Sequence, residues 1–373
     1  MINQENTAAG SYPELSQAVM AGTEFINEQL GGVNGHPLEI DVCNTEFSAE
    51  GSTSCGQQFV EAKVPAVLGG IDVFGNGIET LAENDIPFIG GIPVSFASVR
   101  SPNSFQWSGG SWGASVAFAW YAAEELDAKK VSIVYADFGS ITDSAEDARD
   151  VLEARDVDAQ LVPYPVMATD ISSALNAAAA TKPDAVFIMA ADSGCKAGYD
   201  GLAALGLDAT AFYTGACAAP SIVAEAGPKK TNGAIYNVEG PVGQKPPNPD
   251  MAFYSAVIEQ YGDGLDPIGA GTVSFRSLMN LYAIMNQIDG EITPEATYLN
   301  RRAFLRGGIG NFSMSATSWG GAGSSGDGGA VIAAVAVASR ITGDNSTSNK
   351  MEQTMSKMRF STCRTWPCTK PCP

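Results

Sequence analysis

Histidine is nearly absent from this sequence, since His36 is the only one among 373 residues. This scarcity removes most hydrolytic chemistry that depends on a histidine base. Basic residues are also few, with 21 Lys and Arg against 41 Asp and Glu, which gives a formal net charge of −20. Nucleic acids and anionic membrane surfaces repel an acidic protein, so the sequence predicts neither as a partner.

Long apolar runs are missing as well. The longest candidate, residues 330–338, falls short of the roughly 20 residues that a membrane-spanning helix needs. The N-terminus carries neither the basic segment nor the apolar core of a secretory signal, because Met1 leads directly into Ile-Asn-Gln-Glu. We expect that an export signal has been removed, and the alternative is that there was none.

One catalytic motif is present without its partners. Residues 109–113, Gly-Gly-Ser-Trp-Gly, match the G-x-S-x-G turn that carries a hydrolase serine. In that fold the histidine follows the serine along the chain, whereas His36 precedes Ser111. We therefore interpret residues 109–113 as a glycine-rich hinge and the start of a helix.

Phosphate and metal motifs are incomplete too. Gly75-Asn76-Gly77 is followed by Thr80 where a dinucleotide fingerprint has glycine, and there is no Walker A motif. Cys363, Cys368 and Cys372 are irregularly spaced and far from any histidine, so we expect no zinc site. The sequence predicts no enzyme, no cofactor and no metal.

A repeated unit dominates the first 290 residues or so: a short apolar run followed by an amphipathic stretch. The first helical stripe starts at Pro13, and Gly31-Gly32 ends it. This alternating pattern predicts an α/β fold of two doubly wound parallel-sheet lobes. Two sheets of several strands each fit the number of strands better than one very wide sheet. The predicted strands are 2–4, 38–43, 64–68, 86–89, 131–135, 161–163, 185–189, 212–214 and 234–236.

The composition changes near residue 297. Residues 1–296 carry 12 Lys and Arg against 38 Asp and Glu, whereas residues 297–373 carry 9 against 3. The later part is rich in Gly and Ser and sustains little helical or strand period. We expect residues 301–373 to form an atypical, partly disordered tail, or to be an altered reading of a once-regular C-terminus.

Four cysteines lie near predicted strand ends. Cys43 and Cys55 flank a strand exit and a helix entry, and Cys195 and Cys217 follow neighbouring strands. Two disulfides are therefore conceivable in an oxidising compartment, and the alternative is four buried free thiols.

The remaining candidates for chemistry are loops at the carboxyl ends of the strands. An open parallel sheet binds small molecules at this edge. Two lobes that face each other through such loops form a cleft, and closure around a ligand excludes water. The loops are residues 70–75, 90–94, 136–139, 190–192 and 215–217.

At these residues the chain resembles the type I periplasmic binding proteins, in particular the branched-chain amino acid binding family of ABC importers. The resemblance covers about residues 3–296 and rests on the order and spacing of several short motifs. It implies two lobes, residues 1–115 plus 242–300 and residues 116–241, which hinge at 109–113 and 240–241. The motifs are 12–14, Asn27 with 31–35, 37–38, Cys43 to Cys55, 137–139, 183–186 and 205–207.

The resemblance also implies where a ligand is held. Amino-acid binders hold the carboxylate with backbone amides and hydroxyls, but here Phe74, Gly75 and Ile92 stand at the hydroxyl positions. Asp72 or Asp192 could meet an ammonium group, and the alternative for Asp192 is a helix cap. Tyr12, Phe74 and Phe138 could line an apolar slot, and the alternative for the two Phe residues is a place in the core. By position the contact residues are Tyr12, Asp72, Val73, Phe74, Gly91, Ile92, Pro93, Phe138, Asp192 and Ala216.

The function implied is that of a solute-binding protein of an ABC importer. We expect it to capture an amino acid or a related compound, to be a monomer, and to present its ligand to a membrane permease. Its location would be periplasmic or extracellular, with a lipid anchor on the precursor left open. The alternatives are a ligand-sensing module of a receptor or regulator and, less favoured, an α/β enzyme.

Overall fold

The structure is a computed structural model that describes residues 1–7, 10–238 and 249–303, together with three short strands farther along the chain. The predicted hinge at 240–241 and most of the predicted tail lie outside the described residues. The strands are β1 Ile2–Asn3, β2 Cys43–Asn44, β3 Val67–Leu68, β4 Phe88–Ile89, β5 Ser104–Phe105, β6 Lys130–Asp137, β7 Asp158–Pro165, β8 Ala185–Met189, β9 Thr210–Tyr213, β10 Ile235–Val238, β11 Ala322–Gly323, β12 Val331–Ile332 and β13 Val337–Arg340.

Helices alternate with these strands, as the sequence predicts. A short 3-10 turn, Gly215–Ala218, follows β9. Within the described part of the chain, every helix is too short or too polar to cross a membrane. The α-helices are α1 Pro13–Gln29, α2 Ala49–Glu61, α3 Asn76–Glu83, α4 Phe96–Arg100, α5 Gly110–Glu124, α6 Gly139–Glu153, α7 Ser172–Ala180, α8 Asp192–Leu205, α9 Pro220–Ala226, α10 Pro228–Thr231, α11 Pro249–Tyr261, α12 Gly271–Met285 and α13 Pro294–Ala303.

The strands form two main sheets, an N-terminal sheet and a second, six-stranded sheet. The second sheet has the order β13-β10-β9-β8-β6-β7, and all its strands are parallel except β13. Every residue of β8 is buried, as expected for a central strand covered by helices on both faces. The edge strand β13 pairs antiparallel with β10, and the other two described strands of the predicted tail, β11 and β12, pair antiparallel with each other.

The N-terminal sheet is built from five two-residue strands. β1 pairs with β2, and β3, β4 and β5 form a parallel ladder. A parallel bridge from Ile2 to Gly69 links the two pieces, so that the strands lie in the order β2-β1-β3-β4-β5. Parallel sheets in two separate layers confirm the predicted fold class.

The predicted strand at residues 38–43 is wrong in its bounds, because ladder pairing starts only at Cys43. The backbone of Leu38 bonds a side chain instead: its N–H donates to Asn27 Oδ1 at 2.7 Å, and its carbonyl accepts from Asn27 Nδ2 at 2.8 Å. Alternating hydrophobicity indicates an extended chain, but it does not indicate which groups form hydrogen bonds with the backbone of that chain.

Each sheet has helices on both faces. In the N-terminal sheet, α1, α11 and α12 cover one face around Leu15, Phe275 and Leu278, and α2 and α3 cover the other around Phe59. In the second sheet, α5 and α6 lie on one face and α7 and α8 on the other. Helices α11 and α12 pack with α1 in the core of the N-terminal sheet. The predicted lobes stay a prediction, and their boundary at 115/116 falls inside α5.

Helices α2 and α3 approach very closely through glycine. A Cβ on Gly56 would lie 2.7 Å from the Gly77 carbonyl oxygen and 2.8 Å from Thr80 Cβ. This contact holds the start of α3 against Ser52, whose hydroxyl accepts a hydrogen bond from the Gly77 N–H at 2.8 Å.

Replacing Gly56 by Ala should therefore force α3 away from α2. We expect Gly56→Ala to lower the free energy of unfolding by about 1–3 kcal/mol, the usual cost of overpacking a core contact. Ser54→Ala on the exposed face of the same helix is the control and should change it by less than about 0.5 kcal/mol. Equal melting temperatures for the two variants in thermal denaturation would contradict this packing.

Candidate ligand cleft between the two sheets

Loops at the carboxyl ends of the two sheets meet. Ser140, just after β6, donates a hydrogen bond to the carbonyl oxygen of Val94, which follows β4. Ser144 of α6 donates to the Ser111 hydroxyl of α5 at 3.2 Å. The structure thus brings the predicted loops 70–75, 90–94 and 136–139 to one place between the sheets.

Three phenylalanines from both sheets pack together in this cleft. Phe138 follows β6, whereas Phe47 and Phe74 follow β2 and β3. The ring centroids are 5.5 Å apart for Phe47 and Phe74, 5.5 Å for Phe47 and Phe138, and 5.4 Å for Phe74 and Phe138. All three side chains are only half-buried, so this phenylalanine cluster lies at the cleft surface and not within either core.

Sequence reasoning missed Phe47. Its backbone φ is 51°, and that of Glu46 is 52°, a left-handed conformation that bulky residues rarely adopt. Strained backbone of this kind concentrates at functional sites. Two signals were available: Phe47 follows a strand end, and it precedes Ser48, whose side chain caps α2 by accepting from the Gly51 N–H at 2.9 Å.

Asp72 organises the loop that carries Phe74. Its side chain is buried, with only 4% of the residue exposed. Oδ1 accepts from the N–H groups of Phe74 at 3.2 Å and Gly75 at 3.1 Å, and Oδ2 accepts from the Ser52 hydroxyl at 2.7 Å. The carboxylate therefore fixes the start of α3, and its predicted contact with a ligand ammonium stays a prediction.

Backbone N–H groups near the cleft are largely paired within the protein. The Ile92 N–H donates to the Gly70 carbonyl at 2.9 Å, and the Gly91 N–H donates to the Ser277 hydroxyl at 3.4 Å. Ser95 caps α4, and Ser108 accepts from the Gly110 N–H at the start of α5. These groups are already engaged, and the predicted contact residue Pro93 has no N–H to offer.

The interpretation of residues 109–113 as a helix start is confirmed, because α5 begins at Gly110. Gly110 has a φ of +53°, and a Cβ there would lie 1.8 Å from the Pro93 carbonyl oxygen. This close approach requires glycine. A hinge role for the segment stays a prediction.

The other predicted contact residues occupy different places. Tyr12 precedes α1, packs on the first core and is half-buried, while its carbonyl accepts from Asn3 Nδ2 at 2.8 Å. Asp192 is the first residue of α8 and Ala191 is the capping position, so the predicted cap is one residue off. Ala216 lies in the 3-10 turn after β9, and Val73 is half-buried beside Asp72.

Both predicted disulfides are formed, and the alternative of four free thiols is wrong for these residues. Cys43 and Cys55 have Cα atoms 5.5 Å apart, and Cys195 and Cys217 have Cα atoms 5.1 Å apart. The first bridge ties the start of β2 to α2 across the loop of Phe47. The second ties the first turn of α8 to the turn that contains Ala216, so each sheet has one braced loop at the cleft.

A second concavity lies away from these residues. It is a groove of about 570 Å³ between the loop before β2, including His36 and Pro37, and the segment after α12, including Asp289 and Glu291. A loop that precedes a strand lies at the opposite edge of a parallel sheet from the strand ends, so the groove is separate from the cleft. Among the described residues, no three His, Cys, Asp or Glu side chains are placed to hold a metal ion.

Two parallel α/β layers whose strand-end loops meet across a cleft define a two-lobed ligand-binding protein. A model of the periplasmic binding protein family matches residues 6–297. The chain therefore belongs to the periplasmic binding proteins, and its fold is that of type I, as the resemblance implied. No curated protein sequence matches it significantly. Members of the family are solute-binding proteins, and membership implies a location outside the cytoplasm.

Solved structures share the fold at low sequence identity. A leucine binding protein of Thermotoga maritima has 16% identity and a TM-score of 0.69, and the match covers 81% of this chain and 86% of that one. An ABC-transporter solute binding protein of Rhodopseudomonas palustris, in complex with p-hydroxybenzoic acid, has 19% identity and a TM-score of 0.68, covering 79% and 82%. Another from that organism, in complex with benzoate, has 17% identity and a TM-score of 0.67, covering 80% and 84%.

The buried position of Asp72 makes stability depend on pH. Burial raises the pKa of Asp72 above its ordinary 3.8, against the opposing effect of the hydrogen bonds from Gly75, Ser52 and Phe74. The folded state therefore holds the proton more tightly than the unfolded state, and this stabilisation is lost as pH rises through the folded pKa. Asp72→Asn does not titrate, so its melting temperature relative to wild type should rise as the pH increases from about 4.

Asp170→Asn is the control with the opposite sign. Hydrogen bonds from Ser172 lower the pKa of the exposed Asp170, so the wild-type stabilisation appears above the unfolded pKa and is lost as pH falls. The melting temperature of this variant relative to wild type should therefore fall with rising pH. Parallel pH trends for the two variants would contradict the burial of Asp72.

Proposed function

We propose that this protein is the extracytoplasmic solute-binding component of an ABC importer, and that it captures an amino acid or a related small compound by closing two lobes around it. In this proposal it acts without catalysis, as a monomer, and hands its ligand to a membrane permease. The lobes are residues 1–115 plus 242–300 and residues 116–241. The observation that carries the proposal is the phenylalanine cluster, since both sheets contribute to it at their strand ends.

The cluster suits a ligand with an apolar body. Closing the lobes on such a ligand removes apolar ring surface from water, which contributes about 25 cal/mol per Å². The exclusion of water also strengthens each polar contact that the ligand makes in the cleft. The ligands named for the solved relatives are leucine, p-hydroxybenzoic acid and benzoate, and each has a small apolar body.

Ligand binding should raise the melting temperature of the protein. A ligand at about 100 times its Kd stabilises the folded state by about 2.7 kcal/mol, which should raise the Tm of a chain of this length by about 3–4 °C. We expect such a shift with at least one member of a panel of amino acids, amines, amides and aromatic acids in differential scanning fluorimetry.

The shift should depend on the cluster. Phe74→Ala and Phe138→Ala should each abolish it, because each removes a ring at the cleft surface. Phe96→Ala is the matched control, since Phe96 is exposed on α4 and packs against Trp112 with ring centroids 5.6 Å apart. A cooperative melt without any shift across the panel, or equal loss in the Phe96 variant, would contradict the proposed site.

A further inference from the structure

We propose that the cleft selects an organic cation, an ammonium group on an apolar or aromatic body, and that it does not need a ligand carboxylate. This inference rests on the proposed function and names the ligand class of the same site. It follows from the charges of the loops, from the engagement of the backbone N–H groups and from the three rings.

The strand-end loops carry acids and no cation. Residues 43–48, 69–75, 90–95, 137–140, 190–192 and 214–218 contain four carboxylic acids and no Lys, Arg or His. These loops therefore offer an anionic ligand no positive side chain of their own, and the guanidinium of Arg276 on α12, near the end of β5, donates to the Trp107 carbonyl at 3.4 Å. The acids are Glu46, Asp72, Asp137 and Asp192.

On the side of the N-terminal sheet, backbone amides do not replace the missing cation. At the start of α3, the N–H groups of Phe74 and Gly75 donate to Asp72 Oδ1, and the Gly77 N–H donates to the Ser52 hydroxyl. Helix N-termini attract anions through such free N–H groups. Here a carboxylate of the protein itself takes that place, so a second carboxylate would have to displace Asp72 or lie beside it.

The N-termini of neighbouring helices are engaged in the same way. Ser48 caps α2, Ser95 caps α4, and the Ser111 N–H at the start of α5 donates to the Pro93 carbonyl at 3.3 Å. Along the N-terminal sheet, the helix starts that face the cleft therefore bond protein acceptors. The carboxylate arm of an amino acid finds no reserved partner there.

The three phenylalanine rings offer electronegative faces to which an ammonium group can bind. The face of an aromatic ring is electronegative and attracts a cation within about 6 Å of its centroid. Three rings meet from two sides of the cleft, and two of them directly follow an acid, in Glu46-Phe47 and Asp137-Phe138. The rings contact one another, so an ammonium ligand would enter by separating Phe138 from Phe47 and Phe74.

The net negative charge of residues 1–296 also favours a cationic ligand. Residues 1–296 carry 38 Asp and Glu against 12 Lys and Arg. A negative field raises the local concentration of cations and disfavours the approach of anions. The long-range field and the composition of the loops therefore favour the same ligand charge.

The test uses four ligands with the same phenyl ring and different polar groups: phenethylamine, a cation; phenylalanine, a zwitterion; phenylpropanol, which is uncharged; and phenylpropionate, an anion. Binding to the purified full chain is measured by isothermal titration calorimetry at neutral pH and low salt. We expect phenethylamine to bind at least ~10-fold more tightly than phenylpropanol, and phenylpropionate to bind most weakly. Added salt should reduce the advantage of the amine.

Variants separate the effect of the rings from that of volume. Phe74→Leu and Phe138→Leu keep an apolar side chain but remove the aromatic face, so they should reduce the preference for phenethylamine over phenylpropanol to about threefold or less. Phe96→Leu should keep the full preference, because Phe96 lies outside the cluster. Asp137→Asn should also weaken amine binding while leaving the alcohol unchanged.

The outcomes distinguish the two proposals. Tighter binding of phenylpropionate, or binding of leucine or benzoate with no binding of the amine, would overturn the cation preference and leave solute capture standing. A preference for the amine that persists in both Leu variants would overturn the role of the rings. Failure of all these ligands and of the wider panel to bind the folded protein would overturn the proposed function itself.

Discussion

The contact of Phe138 with Phe47 and Phe74 is the interaction on which the arrangement of the cleft depends. The rings come from loops after β6, β2 and β3, so their contact requires the strand ends of the two sheets to face each other. The hydrogen bond from Ser140 to Val94 supports the same approach. The rings are half-buried, so part of their surface is exposed, and in the proposed function closure and ligand binding use the same atoms.

The loop of Phe74 is held rigid by Asp72, and this has a consequence for recognition. A buried carboxylate is costly unless it is hydrogen-bonded, and here Ser52 and two backbone N–H groups provide those bonds. The same bonds engage the start of α3, where an anionic ligand would otherwise find donors. Asp72 stabilises the loop, and the same hydrogen bonds therefore disfavour an anionic ligand at the start of α3.

Much of the fold could be predicted from the sequence, because alternating apolar runs and amphipathic stretches have few solutions besides a parallel α/β sheet. The disulfides could be proposed as well, since each cysteine pair flanks a strand end. The strand at 38–43 was placed too early because Asn27, a helical side chain, bonds the backbone of Leu38. Hydrophobic periodicity carries no information on such a bond.

The candidate site was less predictable. Phe74 and Phe138 follow strands and could be proposed as contact residues from the sequence, but the orientation of the Phe47 side chain depends on a left-handed backbone that no local pattern indicates. Ser52, the side-chain partner of Asp72, lies 20 residues earlier on α2. The contact between Asp72 and Ser52 forms only when α2 and α3 pack through Gly56. The sequence therefore indicates a ligand-binding role for Asp72 but not its role in holding the loop.

A structure of the protein with bound phenethylamine would show the ligand site itself. We expect the ligand to lie between the rings of Phe47, Phe74 and Phe138, with its ammonium group against a ring face and the Asp72 hydrogen bonds intact. A ligand bound instead in the groove between His36 and Glu291, or one whose binding breaks the contact of Asp72 with Gly75, would contradict this expectation.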